Sequence, residues 1–202
     1  MGLRTGLLEF TKIYELLQHG ISGQGTYDFI SKQVIRGKAG DRVLDIGCGP
    51  ADVVSQLEEV QYVGLDQNPK YIETARSRYG GRAEFHCWDV TDQRVKELGK
   101  FDIVLLLGVL HHLTDEEIQL MLRHASQALK PEGRLITFDC AVEDGQHPIA
   151  RLLARVDRGR YARSANGYRN LISQHLRPQE VLVRHDLLRV PYTHAIITSV
   201  LH

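Results

Sequence analysis

Val43-Leu44-Asp45-Ile46-Gly47-Cys48-Gly49-Pro50-Ala51-Asp52 sets a D-x-G-x-G turn directly behind a strand-length apolar run. Glycines in such a turn let the backbone approach a ligand closely, and a helix that follows offers unpaired N–H groups. Strand, glycine turn and helix in that order predict one unit of an α/β sheet, with its ligand at the strand's carboxyl end. In a dinucleotide loop a third glycine would stand three positions after Gly49, and a pyrophosphate would lie on the helix end. Asp52 occupies that place instead. Two acids, Asp45 and Asp52, therefore flank the glycines. They suit a ligand with an ammonium or sulfonium group better than a pyrophosphate.

Outward from this turn the chain alternates. Strand-length apolar runs stand at 42–46, 61–65, 83–87, 101–107 and 133–138, and helical stretches are predicted over 51–59, 69–79, 92–98 and 115–129. Upstream, 7–17 and 27–35 read as helices separated by Gly20, Gly23 and Gly25. Thr114 and Glu117 have the spacing of a capping box, with Asp115 and Glu116 placed to favour the positive helix end. Strands apolar on both faces predict a mostly parallel sheet covered on each side. Near the end, runs at 181–188 and 193–201 are joined by Arg189-Val190-Pro191-Tyr192, a connection short enough to force an antiparallel pair.

Two further acids fall at strand ends. Asp66 closes the run 61–65, about twenty residues past the glycines, where a carboxylate can accept both ribose hydroxyls of an adenosine. Its removal is expected to weaken such a ligand about tenfold or more with little loss of stability, because it ends a strand and fills no core. Asp89, after His86-Cys87-Trp88, can accept from an adenine amino group with Trp88 or Val90 against the ring; taken alone, such an acid is more often a helix cap than a ligand. Asp45, Asp66 and Asp89 together line the carboxyl ends of successive strands, where open α/β sheets bind ligands.

These residues resemble the class I S-adenosylmethionine-dependent methyltransferases, of the small bacterial type similar to the ubiquinone/menaquinone-biosynthesis enzymes. The matching stretches are VLDIGCGPA (43–51), YVGLDQNPKYIETAR (62–76), FHCWDV (85–90), FDIVLLLGVLHHL (101–113) and LKPEGRLITFD (129–139). The resemblance implies a Rossmann-like, doubly wound sheet of seven strands, mostly parallel with the last strand antiparallel and helices on both faces. It implies S-adenosyl-L-methionine as cofactor. Gly47 and Gly49 would line its methionine part, Asp66 its ribose and Asp89 its adenine, with Gly108 near the methionyl group. Asp45, Gln67 and Val90 complete the expected cofactor-binding set. One methyltransferase domain is expected over 1–202: covering helices in 1–40, the cofactor core in 41–140, an acceptor-covering insertion in 141–178 and a terminal strand pair in 179–202.

Composition narrows the acceptor. The 202 residues are 43% hydrophobic and 25% charged, ordinary for one globular domain with a sizeable core. Twenty-five basic and twenty-five acidic residues cancel, which disfavours a nucleic-acid-coating protein. The longest apolar run, 103–110, is too short to cross a bilayer, and Arg4, Glu9 and Lys12 leave no secretory core in 1–12. Cys48, Cys87 and Cys140 lack a C-x-x-C pair, so no metal site is expected and a reducing cytoplasm is the expected location.

The charge is unevenly spread. Residues 146–190 hold nine arginines against three acids, a net of +6 that leaves −6 elsewhere. Arg158 and Arg163, with Tyr192, are expected to wall a pocket for a small, anionic, hydroxyl- or amine-bearing acceptor; a structural salt-bridge network is the competing reading of the arginines. His111 and His112 are the candidate general bases, and either could instead hold the loop as scaffold. Tyr14 and Tyr27 are placed to close over the cofactor or simply to pack. Alternatives are an RNA or protein methyltransferase on the same fold, or a binding protein that keeps the cofactor pocket without catalysis. No N-P-P-Y or D-P-P-Y run follows the fourth strand, which speaks against a nucleic-acid substrate. The oligomeric state is left open.

Overall fold

The structure is a computed structural model and describes residues 24–156 and 161–202. Seven strands form one sheet in the order β3-β2-β1-β4-β5-β7-β6. They are β1 (Arg42–Ile46), β2 (Gln61–Leu65), β3 (Ala83–His86), β4 (Phe101–Leu107), β5 (Leu129–Cys140), β6 (Arg177–Arg184) and β7 (His194–Val200). All neighbours pair parallel except β7, which runs antiparallel to both β5 and β6. β6 therefore points the same way as β1–β5, and the 185–193 loop opens on the same edge as the glycine turn. The helices are α1 (Gln24–Phe29, continuing as a π-helical turn over Ile30–Ile35), α2 (Pro69–Tyr79), α3 (Asp115–Ala128), α4 (Pro148–Val156) and α5 (Ala165–Ile172).

Period-two alternation splits the core into two layers. Leu44, Ile46, Val104 and Leu106 pack with Met121, Leu122 and Tyr168 on one face. Val43, Ile103 and Leu105 pack with Ile35, Val54 and Ile72 on the other. With both faces apolar and buried, β1 and β4 form the centre of the sheet. Strand order reverses between them, so the crevice at their carboxyl ends is the switch point of the fold.

Several local expectations are corrected. The helix predicted over 51–59 is a five-residue 3₁₀ turn, Asp52–Gln56, since Ala51 and Glu59 both take left-handed backbone angles and close off the segment. The stretch at 92–98 is likewise 3₁₀, over Gln93–Leu98, capped by Asp92. β5 begins at Leu129, before Lys130-Pro131-Glu132-Gly133, because the pairing jumps from Phe101↔Leu129 to Ile103↔Arg134 and absorbs the turn residues in a bulge. The terminal strands are Arg177–Arg184 and His194–Val200, so the loop between them is longer than Arg189–Tyr192. α4 has no counterpart in the sequence reading. The helix predicted at 7–17, Tyr14 and the side chain of Tyr27 lie outside the described residues.

Along α1, Thr26 donates its hydroxyl to the Leu187 carbonyl, and the Arg184 guanidinium lies 4.5 Å from the Phe29 ring centre. These contacts dock α1 against the 185–193 loop. No helix among the described residues is long and apolar enough to cross a membrane.

Both halves of the capping box on α3 are formed. Glu117 N–H donates to Thr114 Oγ1 at 3.3 Å, and Thr114 N–H donates to Glu117 Oε2 at 2.8 Å. Thr114→Ala is expected to lower the unfolding free energy by about 1 kcal/mol in urea titrations. An unchanged midpoint and slope would show that the box adds nothing to α3.

Candidate functional site

The glycine turn is held from beneath by β2. Gly47 N–H and Cys48 N–H donate to the Leu65 carbonyl at 2.7 and 2.9 Å. Gly47 has φ +79°, and a Cβ there would stand 2.6 Å from Val109 Cγ2, so both backbone and packing demand glycine. Gly49 (φ +54°) differs: nothing lies within 4 Å of its Cβ position. It faces open space that a ligand can enter. Asp66 braces the turn, accepting from Gly49 N–H on Oδ2 (2.9 Å) and from Asn68 N–H on Oδ1 (2.8 Å). Removal of Asp66 therefore costs loop stability as well as any ligand contact, which corrects the expectation of little structural loss.

Asp45, at the end of β1, is almost fully buried. The Tyr62 hydroxyl donates to its Oδ2 at 2.5 Å, while Oδ1 has no hydrogen-bond partner among the described residues. Tyr62 reaches it because Tyr62 pairs with Val43, two residues before Asp45 on the same sheet face. Burial raises the Asp45 pKa to about 7; the Tyr62 bond opposes the rise and the Asp66 charge adds to it. Burial also pushes the Cys48 thiol up, so it is not a thiolate at neutral pH. Asp52 is different again. It is ion-paired with Arg78 at 2.5 Å, and only a 3₁₀ turn follows it. The segment after the glycines thus presents no α-helix N-terminus to a pyrophosphate, and the Asp52 charge is matched by Arg78.

On the β3 side, exposed Asp89 accepts on Oδ1 from both Thr91 N–H (2.9 Å) and the Thr91 hydroxyl (2.6 Å), a cap on its own turn. The Trp88 ring stacks on His86 at 4.3 Å and has the Arg94 guanidinium 4.4 Å from its centre. Gln67 is exposed and Val90 is half-buried against the core.

Past β4, Gly108 (φ +72°) donates its N–H to Phe138 at 2.7 Å, and the His111 ring lies 3.8 Å from its Cβ position. The structure separates the two histidines. His112 is exposed. His111 is buried, with Nδ1 2.8 Å from Asp139 Oδ1, and its backbone N–H donates to the same oxygen at 3.2 Å. The two rings are 4.0 Å apart. Asp139, fully buried at the end of β5, has its pKa raised by burial and held down in part by His111. A carboxylate that orients an imidazole makes Nε2 the basic nitrogen. The sequence does not join Asp139 to His111, because a contact across 28 positions needs the β4–β5 register.

Of the expected basic wall, the described residues include Arg163 and Tyr192. All five N–H groups of Arg163 are used internally: on Asp115 (2.5 Å from Nη2), and on the Leu110, Leu113 and Tyr161 carbonyls. Arg163 fastens the insertion to the β4–α3 connection and has no donor left for an acceptor. Arg158 lies outside the described residues. Tyr192 is buried beside His194, whose ring also packs 4.6 Å from Phe138. Among the described residues no cluster of His, Cys, Asp or Glu could hold a metal ion.

Residues 43–133 match a family model described as a methyltransferase domain. The chain is 34% identical over 110 residues to 27-O-demethylrifamycin SV methyltransferase of Amycolatopsis mediterranei, covering 50% of this chain and 39% of that protein. It is 29% identical over 131 residues to a ubiquinone biosynthesis O-methyltransferase of Xanthomonas axonopodis, covering 58% of this chain and 54% of that one. The chain thus spans about half the length of the curated relatives it matches, or less. A TehB-like SAM-dependent methyltransferase structure from Corynebacterium glutamicum superposes with a TM-score of 0.69 at 14% identity, over 98% of this chain and 100% of that one. At that identity the likeness speaks for the fold.

The raised Asp45 pKa has a testable sign. A folded value above the unfolded one makes its stabilising contribution complete below about pH 4 and lost as pH rises through about 7. Relative to Asp45→Asn, the wild type is expected to lose on the order of 1–4 kcal/mol between those limits in urea unfolding at fixed salt. Parallel stability curves for the two proteins would show that Asp45 ionises as freely folded as unfolded.

Proposed function

We propose, on the premise that this chain belongs to the class I S-adenosylmethionine-dependent methyltransferases, that it methylates a hydroxyl oxygen of a small molecule. The observation that carries the choice of oxygen is the buried His111–Asp139 pair at 2.8 Å beside Gly108. A hydroxyl must lose its proton as it attacks, and a carboxylate-oriented imidazole is built to take one. The relatives from Amycolatopsis and Xanthomonas are O-methyltransferases by name or by their 27-O position, which agrees with this reading.

The residues present fit S-adenosyl-L-methionine. Asp45 Oδ1 is a buried acceptor without a partner among the described residues, suited to a cationic group. A nearby positive charge would favour its ionised form. Gly49 leaves room for close approach, and each Asp66 oxygen keeps lone-pair capacity for a ribose hydroxyl beyond the backbone N–H it already accepts. When bound, the cofactor supplies a methyl group activated on a sulfonium. Around it, the chain's own residues position and deprotonate. Asp139 fixes the His111 ring, Nε2 receives the hydroxyl proton, and the Val109–Gly47 contact sets the spacing between the histidine loop and the glycine turn. Asp89, Gln67 and Val90 form the adenine end of the same reading, with Tyr192 on the acceptor side. The cytoplasm is the proposed location.

Arg163 gives the anionic acceptor no support, since its donors are spent. Net neutrality favours a small acceptor over a nucleic acid.

Calorimetry is expected to show S-adenosylhomocysteine binding that NAD does not displace, weakened about tenfold or more in Asp66→Ala. Tight NAD binding with none of the adenosyl ligand would overturn the cofactor reading. With methyl-labelled cofactor and a panel of small phenols and alcohols, His111→Ala is expected to lower turnover by about 10²–10⁴-fold while leaving adenosyl-ligand affinity unchanged. Wild-type activity should fall on the acid side as the imidazole protonates. Wild-type turnover in His111→Ala would show that no base acts there.

A further inference from the structure

The Arg163 guanidinium is only 15% exposed, and it meets one carboxylate and three backbone carbonyls. Two of those carbonyls, Leu110 and Leu113, bracket the 3₁₀ turn Leu110–His112 that presents His111. The third belongs to Tyr161, at 2.7 Å, and Tyr161 N–H in turn donates to the His111 carbonyl at 3.1 Å. The carbonyls of residues 110, 111 and 113 are thus all met by the 161–163 segment. A short 3₁₀ turn leaves its last carbonyls in want of donors, and the guanidinium fork supplies them. Asp115 holds the fork from the start of α3, accepting on Oδ1 from Nε at 2.9 Å and from Nη2 at 2.5 Å.

The backbone of the same residue is stitched to the other member of the His111–Asp139 pair. β5 runs out at Cys140, one position past Asp139. Directly beyond it, Ala141 forms a parallel bridge with Arg163, and Val142 N–H donates to the Arg163 carbonyl at 3.1 Å. Arg163 N–H donates to the Tyr168 hydroxyl at 3.2 Å, and that buried hydroxyl donates to the Cys140 carbonyl at 3.0 Å. One residue therefore spans both halves: its main chain lies on the strand end that carries Asp139, its side chain on the turn that carries His111. The 2.8 Å hydrogen bond between those two tolerates little relative displacement. A lysine could not replace the fork, since its three donors sit on one nitrogen, whereas the guanidinium presents five in a fixed plane.

We propose that Arg163 is a positioning residue for the reaction, holding the His111 turn at the distance from β5 at which Asp139 orients the imidazole. In this role it acts through His111 and need touch neither cofactor nor acceptor. Its consequence for turnover rests on the proposed methylation of a hydroxyl above; the hold on the imidazole does not.

The first arm of the test uses the whole chain without any ligand. In ¹⁵N–¹H imidazole spectra of the wild type, the His111 Nδ1 proton, assigned by its loss in Asp139→Asn, is expected as a sharp resonance protected from exchange. Arg163→Lys keeps the charge and loses the fork, and in that variant the resonance is expected to broaden or vanish while a cooperative melting transition marks the protein as folded. Should Arg163→Lys fold poorly, Asp115→Asn, which removes the carboxylate charge that holds the fork, is expected to broaden the same resonance. The second arm measures turnover of small phenols with methyl-labelled S-adenosylmethionine. Arg163→Lys should lower kcat by about 10–10²-fold with KM and S-adenosylhomocysteine affinity unchanged. In a His111→Ala background the same substitution should cost nothing further, because it acts through the missing ring. A wild type without a protected Nδ1 proton, an unmoved resonance in folded Arg163→Lys, or an equal loss of turnover with and without His111 would overturn the positioning role. Loss of the resonance in Arg163→Lys, in a protein whose wild type methylates no phenol, would keep the hold on the imidazole and remove the proposed hydroxyl methylation.

Discussion

The Asp66 carboxylate, accepting Gly49 N–H on one oxygen and Asn68 N–H on the other, is the tie on which the site's geometry depends. It joins the loop after β1 to the loop after β2, at the point where the sheet order turns back from β1 to β4. Two backbone N–H groups would otherwise face a crevice without partners, and hydrogen bonds to a charged acceptor are among the stronger neutralising contacts available. Beneath the tie, Gly47 packs on Val109 at a distance that admits no side chain. Through Val109 the glycine turn is coupled to the loop that carries His111. The glycine turn and the His111 loop are therefore spaced by packing.

Two buried carboxylates then differ in their partners. Asp45 and Asp139 are both buried and both raised in pKa by desolvation. Asp45 meets a hydroxyl from Tyr62, a neutral donor; Asp45 Oδ1, like Asp139 Oδ2, has no partner among the described residues. Asp139 meets an imidazole and a backbone N–H on a single oxygen, which fixes the ring of His111. Identical side chains in similar burial thus carry different partners, a phenol in one case and an imidazole in the other.

Most of the central sheet was legible in the sequence because each strand there is a contiguous apolar run, and β1, β2 and β4 stand where their runs do. The failures share a cause. Asp52–Gln56 and Gln93–Leu98 are too short and too constrained at their ends for an α-helix, which local composition does not reveal. β5 hides its start in a Lys-Pro-Glu-Gly stretch that reads as a turn and is accommodated as a bulge only because Phe101 pairs with Leu129. At the site, glycines and strand-end acids are visible as types at positions. The Tyr62–Asp45 and His111–Asp139 pairs depend on register between strands, and the sequence does not carry register. Arg163 shows the converse error: a basic run suggested a ligand, whereas its donors close on Asp115 and three carbonyls.

The most direct measurement is a ¹⁵N–¹H titration of the whole chain with S-adenosylhomocysteine, following backbone amides across the sheet edge. Saturable shifts are expected at Gly47, Gly49, Asn68 and Gly108, with the amides of β6 unmoved. Shifts confined to β6 and the 185–193 loop, or none at saturating ligand, would contradict a site built on the Asp66 tie.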